Sequence, residues 1–188
     1  ALLRRYRAQV PLLVMTSEST HDATVACFEE QRYFSMSKAD VRFMPQRMIP
    51  AVDRRGKFLM ESKDKLFTNP NGHGGTFQAL AESGAIEDLL QRGVEHLFYF
   101  QVDNPLVVMC DPVFLGHHSL AGADMSCKVV RKTCWSEKVG VIGLQDGKLT
   151  VIEYSDLPET EARATLPDGS LKYWAGSIAI HVLSVSFV

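Results

Sequence analysis

The chain has 188 residues, a formal net charge of −2, and 46% hydrophobic and 22% charged residues. This composition is that of one globular domain, or part of a larger one, and excludes a disordered tail or a fibre. So small a net charge gives no broad positive field for nucleic acid, and no apolar run approaches the roughly 20 residues of a membrane span. We therefore expect no nucleic-acid or membrane partner.

Hydrophobic patterning predicts strands that alternate with helices in the first half of the chain. In chain order these elements are a buried strand at 10–15, a helix of about ten residues after Thr20, strands at 41–44 and 58–60, a helix from Phe77 that Gly93 stops, and a strand at 94–102.

The second half is richer in predicted strands. Its elements are a short helix at 111–115, strands at 128–130, 139–144 and 149–154, a polar surface loop at 156–170, and a last strand at 178–183. Residues 145–148 predict the turn of a hairpin. The whole pattern predicts an α/β fold with a mixed, mostly parallel sheet flanked by helices and a later β-hairpin.

The cysteines predict a reducing compartment. Cys27, Cys110, Cys127 and Cys134 show no CxxC spacing, and their density is too low for a secreted disulfide scaffold, so we expect thiols in a cytoplasmic protein. The first residues lack the apolar stretch of a signal peptide. Because Ala1 is not an initiator methionine and the last residues are apolar, we expect both ends to be cuts in a longer protein.

The densest turn signal is Gly72-His73-Gly74-Gly75, directly before a predicted helix. Glycines let a backbone approach a ligand closely, and a helix N-terminus offers unpaired N–H groups to an anion or a base edge. A plain tight turn is the commoner explanation of so short a motif. The motif alone leaves both interpretations open.

Asp103 and Asn104 end a very apolar predicted strand, where open α/β sheets bind ligands. An acidic side chain there can hold Mg²⁺, which takes oxygen ligands and bridges to phosphates. A cap or an Asx turn is an equally good explanation. Asp111 is a second candidate carboxylate, but its position before Pro112 fits a helix N-cap better.

Glu153 ends another predicted strand, and its carboxylate is a candidate acceptor for sugar hydroxyls, although a solvated strand end is the simpler explanation. His117 and His118 are adjacent, so on a strand they point to opposite faces and cannot form one metal site. His181 lies inside a predicted strand and is expected to be a packed core residue. A solvated edge, rather than a phosphate site, is expected for Lys128, Arg131 and Lys132.

In order along the chain, these clusters resemble the UDP-N-acetylglucosamine pyrophosphorylase and UDP-sugar pyrophosphorylase family. The likeness covers almost the whole chain, so it is specific as a set. The stretches that carry it are 11–17, Gln46 with Pro50, 70–75, 102–106 with Asp111 and Pro112, 137–141, 151–155, and 175–178 with His181.

The resemblance implies a Rossmann-like nucleotide-diphosphosugar transferase fold, with residues 1–188 as the central segment of one catalytic domain. The family transfers a uridylyl group from UTP to a sugar 1-phosphate, releases pyrophosphate and uses Mg²⁺. By resemblance, Gln46 and Gly72 contact the uracil of the nucleotide. Asp103 lies near the ribose, the phosphates and the metal, as the catalytic and metal-binding residue. The sugar pocket is lined by His73, Glu153 and Ser177.

Two departures from the family bear on the sugar. Ser177 stands where the family usually has Asn, and His73 stands where acetylamino-sugar enzymes carry Asn and glucose-type relatives carry His. His73 favours glucose 1-phosphate or a mixed range of sugars over N-acetylglucosamine 1-phosphate alone. The family's Gly-rich loop and a distal phosphate-binding Lys fall outside residues 1–188, so we expect this segment alone to be inactive.

Two other functions stay open beside uridylyl transfer. One is a non-catalytic protein that binds a nucleotide sugar, and the other is a metal-dependent glycosyltransferase of similar fold with Asp103 as its metal carboxylate. A Gly-rich loop upstream favours the transferase over the first alternative. Consumption of a UDP-sugar without pyrophosphate chemistry favours the second.

Overall fold

The computed structural model describes residues 9–145 and 147–188. The chain divides into two compact units, one of residues up to Val94 with Val188 and one of Glu95–Phe187. No helix in the described ranges is long and apolar enough to cross a membrane. The expectation about Ala1 concerns residues outside those ranges, and the description of one catalytic domain stays a prediction.

The first unit begins with a strand–helix–strand arrangement that confirms the predicted elements. β1 (Leu12–Thr16) leads into α1 (His21–Glu30), and β2 (Val41–Pro45) returns parallel to β1. A parallel pair requires such a crossover. Phe28 of α1 packs edge-on against Phe43 of β2, with ring centroids 5.1 Å apart. Because β1 and β2 are parallel, their carboxyl ends lie at the same edge of the pair.

A long segment that leaves the β1–β2 pair and returns beside it follows β2; it is called the excursion below. β3 (Met48–Pro50) pairs antiparallel with β4 (Thr68–Pro70). The strand predicted at 58–60 is present only as isolated single-residue bridges. Where the excursion closes, the Asn71 N–H donates to the Arg47 carbonyl at 3.0 Å, which brings the residues after β4 beside those after β2.

The single helix predicted before Gly93 forms as two shorter helices. α2 (Thr76–Glu82) and α3 (Ala85–Gln91) are separated because Gly84 adopts left-handed dihedral angles, φ 65° and ψ 21°. A glycine takes this conformation without the penalty of a Cβ, which is why the break falls there. The buried apolar side chains of this unit are Met44, Ala79, Leu80, Ala85 and Leu89.

The second unit is built around its last strand. β9 (Ala175–Ser184) pairs along one edge with β5 (His96–Tyr99) and β7 (Val141–Gln145), and along the other with β6 (Met125–Arg131). Buried strands are typically rich in apolar residues. The buried apolar side chains of this unit are Val141, Ile180, Val182, Leu183 and Val185.

Three smaller elements complete the second unit. β8 (Lys148–Ile152) pairs antiparallel with β7 and confirms the predicted hairpin, although Asp146 of its turn lies outside the described residues. α4 (Pro112–Ala121) begins where predicted and runs further than expected. α5 (Glu159–Ala162) interrupts the loop predicted at 156–170.

The predicted direction of the strands is wrong. Of the six strand pairings among the described residues, only that of β1 with β2 is parallel. A continuous apolar run such as residues 178–183 indicates a strand buried on both faces, and burial produces the same pattern in either direction. The fold is a mixed α/β fold with mostly antiparallel pairings.

Candidate functional site

Gln46 and Gly72, the predicted nucleotide-binding residues, contact each other. The Gly72 N–H donates to Gln46 Oε1 at 2.7 Å. Gly72 has φ 71° and ψ −163°, a region that is essentially restricted to glycine. A Cβ added to Gly72 would have no atom within 4 Å, so the backbone conformation requires the glycine and crowding does not. The result is an open stretch of backbone held beside an amide side chain.

Two buried hydroxyl residues lie at the end of β1, and the first of them holds the backbone of Gln46. The Gln46 N–H donates to the Thr16 carbonyl at 2.8 Å. Thr16 Oγ1 lies 2.9 Å from His21 Nδ1, and Ser17 Oγ lies 3.0 Å from Thr20 Oγ1. Both Thr16 and Ser17 are buried. In the sequence, these two residues are recognisable as the polar residues that directly follow the apolar run 10–15.

His73 follows Gly72 in a single 3-10 turn that leads into α2. The Gly75 N–H donates to the Gly72 carbonyl at 3.0 Å, and Thr76 Oγ1 donates to the His73 carbonyl at 2.7 Å. The glycine motif is therefore a tight turn, and this turn is what exposes the Gly72 backbone. His73 is exposed beside it, and its sugar-binding role stays a prediction.

Asp103 lies exposed in a turn after β5. Its neighbour Asn104 forms the Asx contact, because Asn104 Oδ1 accepts from the Leu106 N–H at 3.2 Å. A carboxylate is a suitable oxygen ligand for Mg²⁺, which binds through one or two carboxylates and otherwise keeps water and phosphate oxygens. No three His, Cys, Asp or Glu residues of the described ranges cluster around a metal position. Asp103 thus fits the ion as a single protein ligand.

Asp111 is the N-cap of α4, as predicted. Its Oδ1 accepts from the Val113 N–H at 3.1 Å, and its Oδ2 accepts from Lys128 Nζ. The hydrogen bond from the Lys128 ammonium holds the pKa of the Asp111 carboxyl below its usual value, and the Val113 N–H adds to this effect. Both carboxylate oxygens have structural partners, which argues against a metal-binding role.

Glu153 and Ser177, the predicted sugar-binding residues of the second unit, are brought together at Gly140. The Ser177 N–H donates to the Gly140 carbonyl at 2.8 Å. A Cβ on Gly140 would lie 3.3 Å from Glu153 Oε1 and 2.9 Å from Val151 Cγ1, so the Glu153 side chain lies directly against the Gly140 backbone. Gly140 lies in the stretch 137–141 of the family resemblance, which implied no role for it. Both sugar-binding roles stay predictions.

Glu153 also lines a cavity of about 410 Å³. Asp156, Glu161 and Tyr173 contribute further polar groups to its wall. Lys172 is paired with Glu161 at 3.0 Å and holds the pKa of that carboxyl below its usual value. Carboxylates accept hydrogen bonds from hydroxyls and repel phosphates, whereas Val151, Ile152, Leu157 and Pro158 make part of the same lining apolar.

One of the three basic residues departs from the predicted solvated edge. Lys132 is buried, and its Nζ donates to the Trp135 carbonyl at 3.3 Å. Arg131 is exposed and stacks over the Trp174 ring at 4.8 Å, and Lys128 is bound to Asp111. The Lys132 side chain is covered by the loop that contains Trp135, and the local sequence pattern did not predict this burial.

His181 and His118 each have hydrogen-bond partners within the second unit. His181 lies half-buried within the sheet, with its Nδ1 3.1 Å from Cys127 Sγ. His117 and His118 are on α4 and not on a strand, but they still diverge. His118 is buried and hydrogen-bonded to two serine hydroxyls, whereas His117 is exposed.

The fold is the mixed α/β arrangement of UDP-sugar pyrophosphorylases. In a crystal structure, the Trypanosoma brucei uridine diphosphate N-acetylglucosamine pyrophosphorylase in complex with an inhibitor superposes with a TM-score of 0.86 at 29% identity, over 95% of this chain and 36% of that one. Residues 1–177 match the family model UDPGP, UTP–glucose-1-phosphate uridylyltransferase, and the chain belongs to this family.

Two curated relatives show how much of a longer protein is matched. The chain is 42% identical to the human UDP-N-acetylhexosamine pyrophosphorylase-like protein 1 over 182 residues, which are 97% of this chain and 36% of that protein. It is 37% identical to the UDP-N-acetylglucosamine pyrophosphorylase of Saccharomyces cerevisiae over 188 residues, which are 100% of this chain and 39% of that protein. The chain thus spans little more than a third of these relatives.

Proposed function

We propose that the complete protein transfers a uridylyl group from UTP to a sugar 1-phosphate, forming a UDP-sugar and pyrophosphate. The observation that carries the proposal is the hydrogen bond from the Gly72 N–H to Gln46 Oε1 at 2.7 Å. This contact holds a glycine backbone open beside an amide side chain, where a planar base can lie and be recognised at its edge. Membership of the UTP–glucose-1-phosphate uridylyltransferase family supports uracil as that base.

In the proposed reaction, a phosphate oxygen of the sugar 1-phosphate attacks the α-phosphorus of UTP in line with the leaving group. A bond forms between that oxygen and the α-phosphorus. The bond from the α-phosphorus to the oxygen bridging to the β-phosphate breaks, and pyrophosphate leaves with that electron pair. Such a transfer depends on positioning and charge neutralisation and needs no protein nucleophile.

The residues of this chain are proposed to position the two substrates. Gln46 and Gly72 orient the uracil, and Glu153 accepts hydrogen bonds from sugar hydroxyls. Ser177 lies beside Glu153 across Gly140, where its N–H is already donated to the Gly140 carbonyl. Its hydroxyl accepts from the Ala179 N–H at 3.5 Å and can still donate to the sugar.

Asp103 is proposed as the magnesium ligand. Its support is an exposed carboxylate in the turn after β5, next to an Asn104 that stabilises the turn. When bound, Mg²⁺ supplies neutralisation of the phosphate charges during the transfer. We also propose a Rossmann-like arrangement, which the β1–α1–β2 crossover supports. The cytoplasmic location is proposed from the cysteine pattern.

The proposed acceptor is N-acetylglucosamine 1-phosphate, glucose 1-phosphate or a range that includes both. The relatives named above carry acetylhexosamine and acetylglucosamine names, whereas the family model carries a glucose name. His73 in the position that resembles glucose-type relatives favours a pocket that does not depend on the acetylamino group. The carboxylate-lined cavity beside Glu153 suits hydroxyls of either sugar.

The test is a screen of the complete protein with UTP, Mg²⁺ and a panel of sugar 1-phosphates, following both pyrophosphate and UDP-sugar. We expect equal amounts of the two products with at least one sugar. Binding of a UDP-sugar with no turnover on any sugar would instead show a non-catalytic protein. Consumption of a UDP-sugar without any need for pyrophosphate would show a glycosyltransferase.

A further inference from the structure

The loop between β6 and β7 is held together by one carboxylate oxygen. Glu137 Oε1 accepts hydrogen bonds from the Thr133 N–H at 2.6 Å, from Thr133 Oγ1 at 2.7 Å and from the Cys134 N–H at 3.1 Å. The Val139 N–H then donates to the Glu137 carbonyl at 3.0 Å. Glu137 therefore organises both the start of this loop, through its side chain, and the end, through its main chain.

The same loop is anchored at its start by a buried cation. The Lys132 N–H donates to the Trp174 carbonyl at 2.8 Å, and Lys132 Nζ donates to the Trp135 carbonyl at 3.3 Å. Only 6% of the surface of residue Lys132 is exposed. Burial of the Lys132 ammonium costs desolvation, which is not expected of a loop that only connects two strands.

The end of the loop leads directly to Gly140. A Cβ placed on Gly176 would lie 3.0 Å from Val139 Cγ2, so Val139 packs against the β9 backbone just before Ser177. The Gly140 carbonyl accepts from the Ser177 N–H at 2.8 Å. A displacement of Val139 would therefore move Gly140 away from Ser177. The Glu153 carboxylate also lies against Gly140, so it would lose its contact too.

We propose that Glu137 is a positioning residue, which fixes the Gly140–Ser177 hydrogen bond and so places Glu153 and Ser177 for a sugar 1-phosphate. The sugar in this statement rests on the proposed function, whereas the effect of Glu137 on the Gly140–Ser177 contact does not. Glu137 itself does not touch the substrate. The Thr133 hydroxyl and the N–H groups of Thr133 and Cys134 hold the pKa of Glu137 below its usual value, so the carboxylate stays charged at neutral pH.

The experiment compares Glu137→Ala, Glu137→Gln and the control Glu159→Ala in the complete protein. Glu159 is a glutamate of the same unit whose carboxylate is paired with Arg163 on the surface. For Glu137→Ala we expect the KM for the sugar 1-phosphate to rise about tenfold, because a charged acceptor of several hydrogen bonds is lost, while the KM for UTP changes less than about twofold. Glu137→Gln keeps one acceptor oxygen and should recover part of the loss.

Amide hydrogen exchange at 175–178 provides a second measurement that needs no turnover. We expect Glu137→Ala to accelerate exchange in this segment, and the control to leave it unchanged. Unchanged exchange and an unchanged KM in Glu137→Ala would overturn the proposal. So would an equal rise of both KM values with faster exchange throughout the second unit, since that pattern indicates general destabilisation. If the wild-type protein shows no transfer, the proposed function fails, and the exchange result alone decides the role of Glu137.

Discussion

Each of the two units groups its candidate residues around one glycine, and the two glycines are required for opposite reasons. Gly72 in the first unit has φ 71° and ψ −163° and open space around it. Gly140 in the second unit has no positive φ, but a Cβ there would meet Val151 Cγ1 at 2.9 Å. The first glycine is required by its backbone angles, and the second is required by its neighbours.

This difference shows how each group of candidate residues is held in place. In the first unit a turn stabilised by local hydrogen bonds exposes the backbone, and one side chain, Gln46, fixes it. In the second unit the segment 151–153 and Ser177 both lie against Gly140, so that Glu153 and Ser177 are set by packing. We expect substitutions in the first group to act through backbone strain and those in the second group to act through displacement of side chains.

The largest effect is expected at Asp103, which belongs to the second unit but depends on neither glycine. Asp103→Asn removes the charge proposed to hold magnesium, and turnover should fall by about 10²–10³, the size of a lost electrostatic contact to the transition state. Turnover is measured at limiting Mg²⁺, with circular dichroism to check the fold. Asp168→Asn, an exposed turn carboxylate bonded to Ser170, is the control. Near-normal turnover in Asp103→Asn would remove the assignment.

The next effect tests strain at the first glycine. Gly72→Val places a β-branched residue in a backbone region that costs on the order of 1–3 kcal/mol for other residues, so the backbone must leave Gln46. We expect UTP affinity, measured by calorimetry, to fall at least about tenfold. Gly74→Val is the control, because Gly74 has equal space but no positive φ. Equal losses in the two variants would contradict a role for the Gly72 conformation.

A smaller effect tests crowding at the second glycine. Gly140→Ala pushes a methyl group against Val151, whose β-branched side chain is stiff, and should cost about 1–3 kcal/mol in free energy of unfolding. The KM for the sugar 1-phosphate should rise while that for UTP holds. Gly116→Ala on α4 is the control: no atom lies within 4 Å of the added Cβ, and it should be neutral or stabilising. A normal stability of Gly140→Ala would show that the segments around it are not rigid.

The smallest effect concerns the pH dependence of the second unit. His118 is buried, and burial, followed by the nearby His96, lowers the pKa of its imidazole below the ordinary value of 6.5. The folded state then binds this proton less readily than the unfolded state, so the stabilisation is fully present above pH 6.5 and is lost as pH falls below it. Thermal unfolding from pH 7.5 to 5 should show a weaker pH dependence in His118→Gln than in the control His117→Gln. Equal slopes would assign the pH dependence to other groups.

Local sequence signals predicted those parts of the fold that depend on neighbouring residues. The apolar run of β1, the helix that follows Thr20 and the hairpin of β7 and β8 each follow from patterns within a few residues. The helix before Gly93 was predicted as one element, because Gly84 is tolerated in a helical pattern and only the structure shows that it breaks the helix. Strand direction is not encoded locally, and the mostly parallel prediction was wrong.

For the candidate residues, too, local signals and the family resemblance indicated the residue identities but not the contacts between them. Residue types at strand ends indicated Asp103 and Glu153, and the family resemblance added Gln46 and Ser177. The hydrogen bond from Gly72 to Gln46 joins residues 26 positions apart, and no local pattern predicts it. The burial of Lys132 was missed because a lysine at the end of a strand is normally solvated, and only the loop folded over it reverses that expectation.

The place of β9 in the chain has a consequence for synthesis. β5 ends at Tyr99 and β9, its partner, begins at Ala175. At a translation rate of roughly 5–20 residues per second, roughly 4 to 15 s separate the two. Until β9 is made, β5, and then β6 and β7 as they are synthesised, lack the strand that unites them and present unpaired N–H and C=O groups. The nascent second unit is therefore a candidate for chaperone binding until its final strand leaves the ribosome.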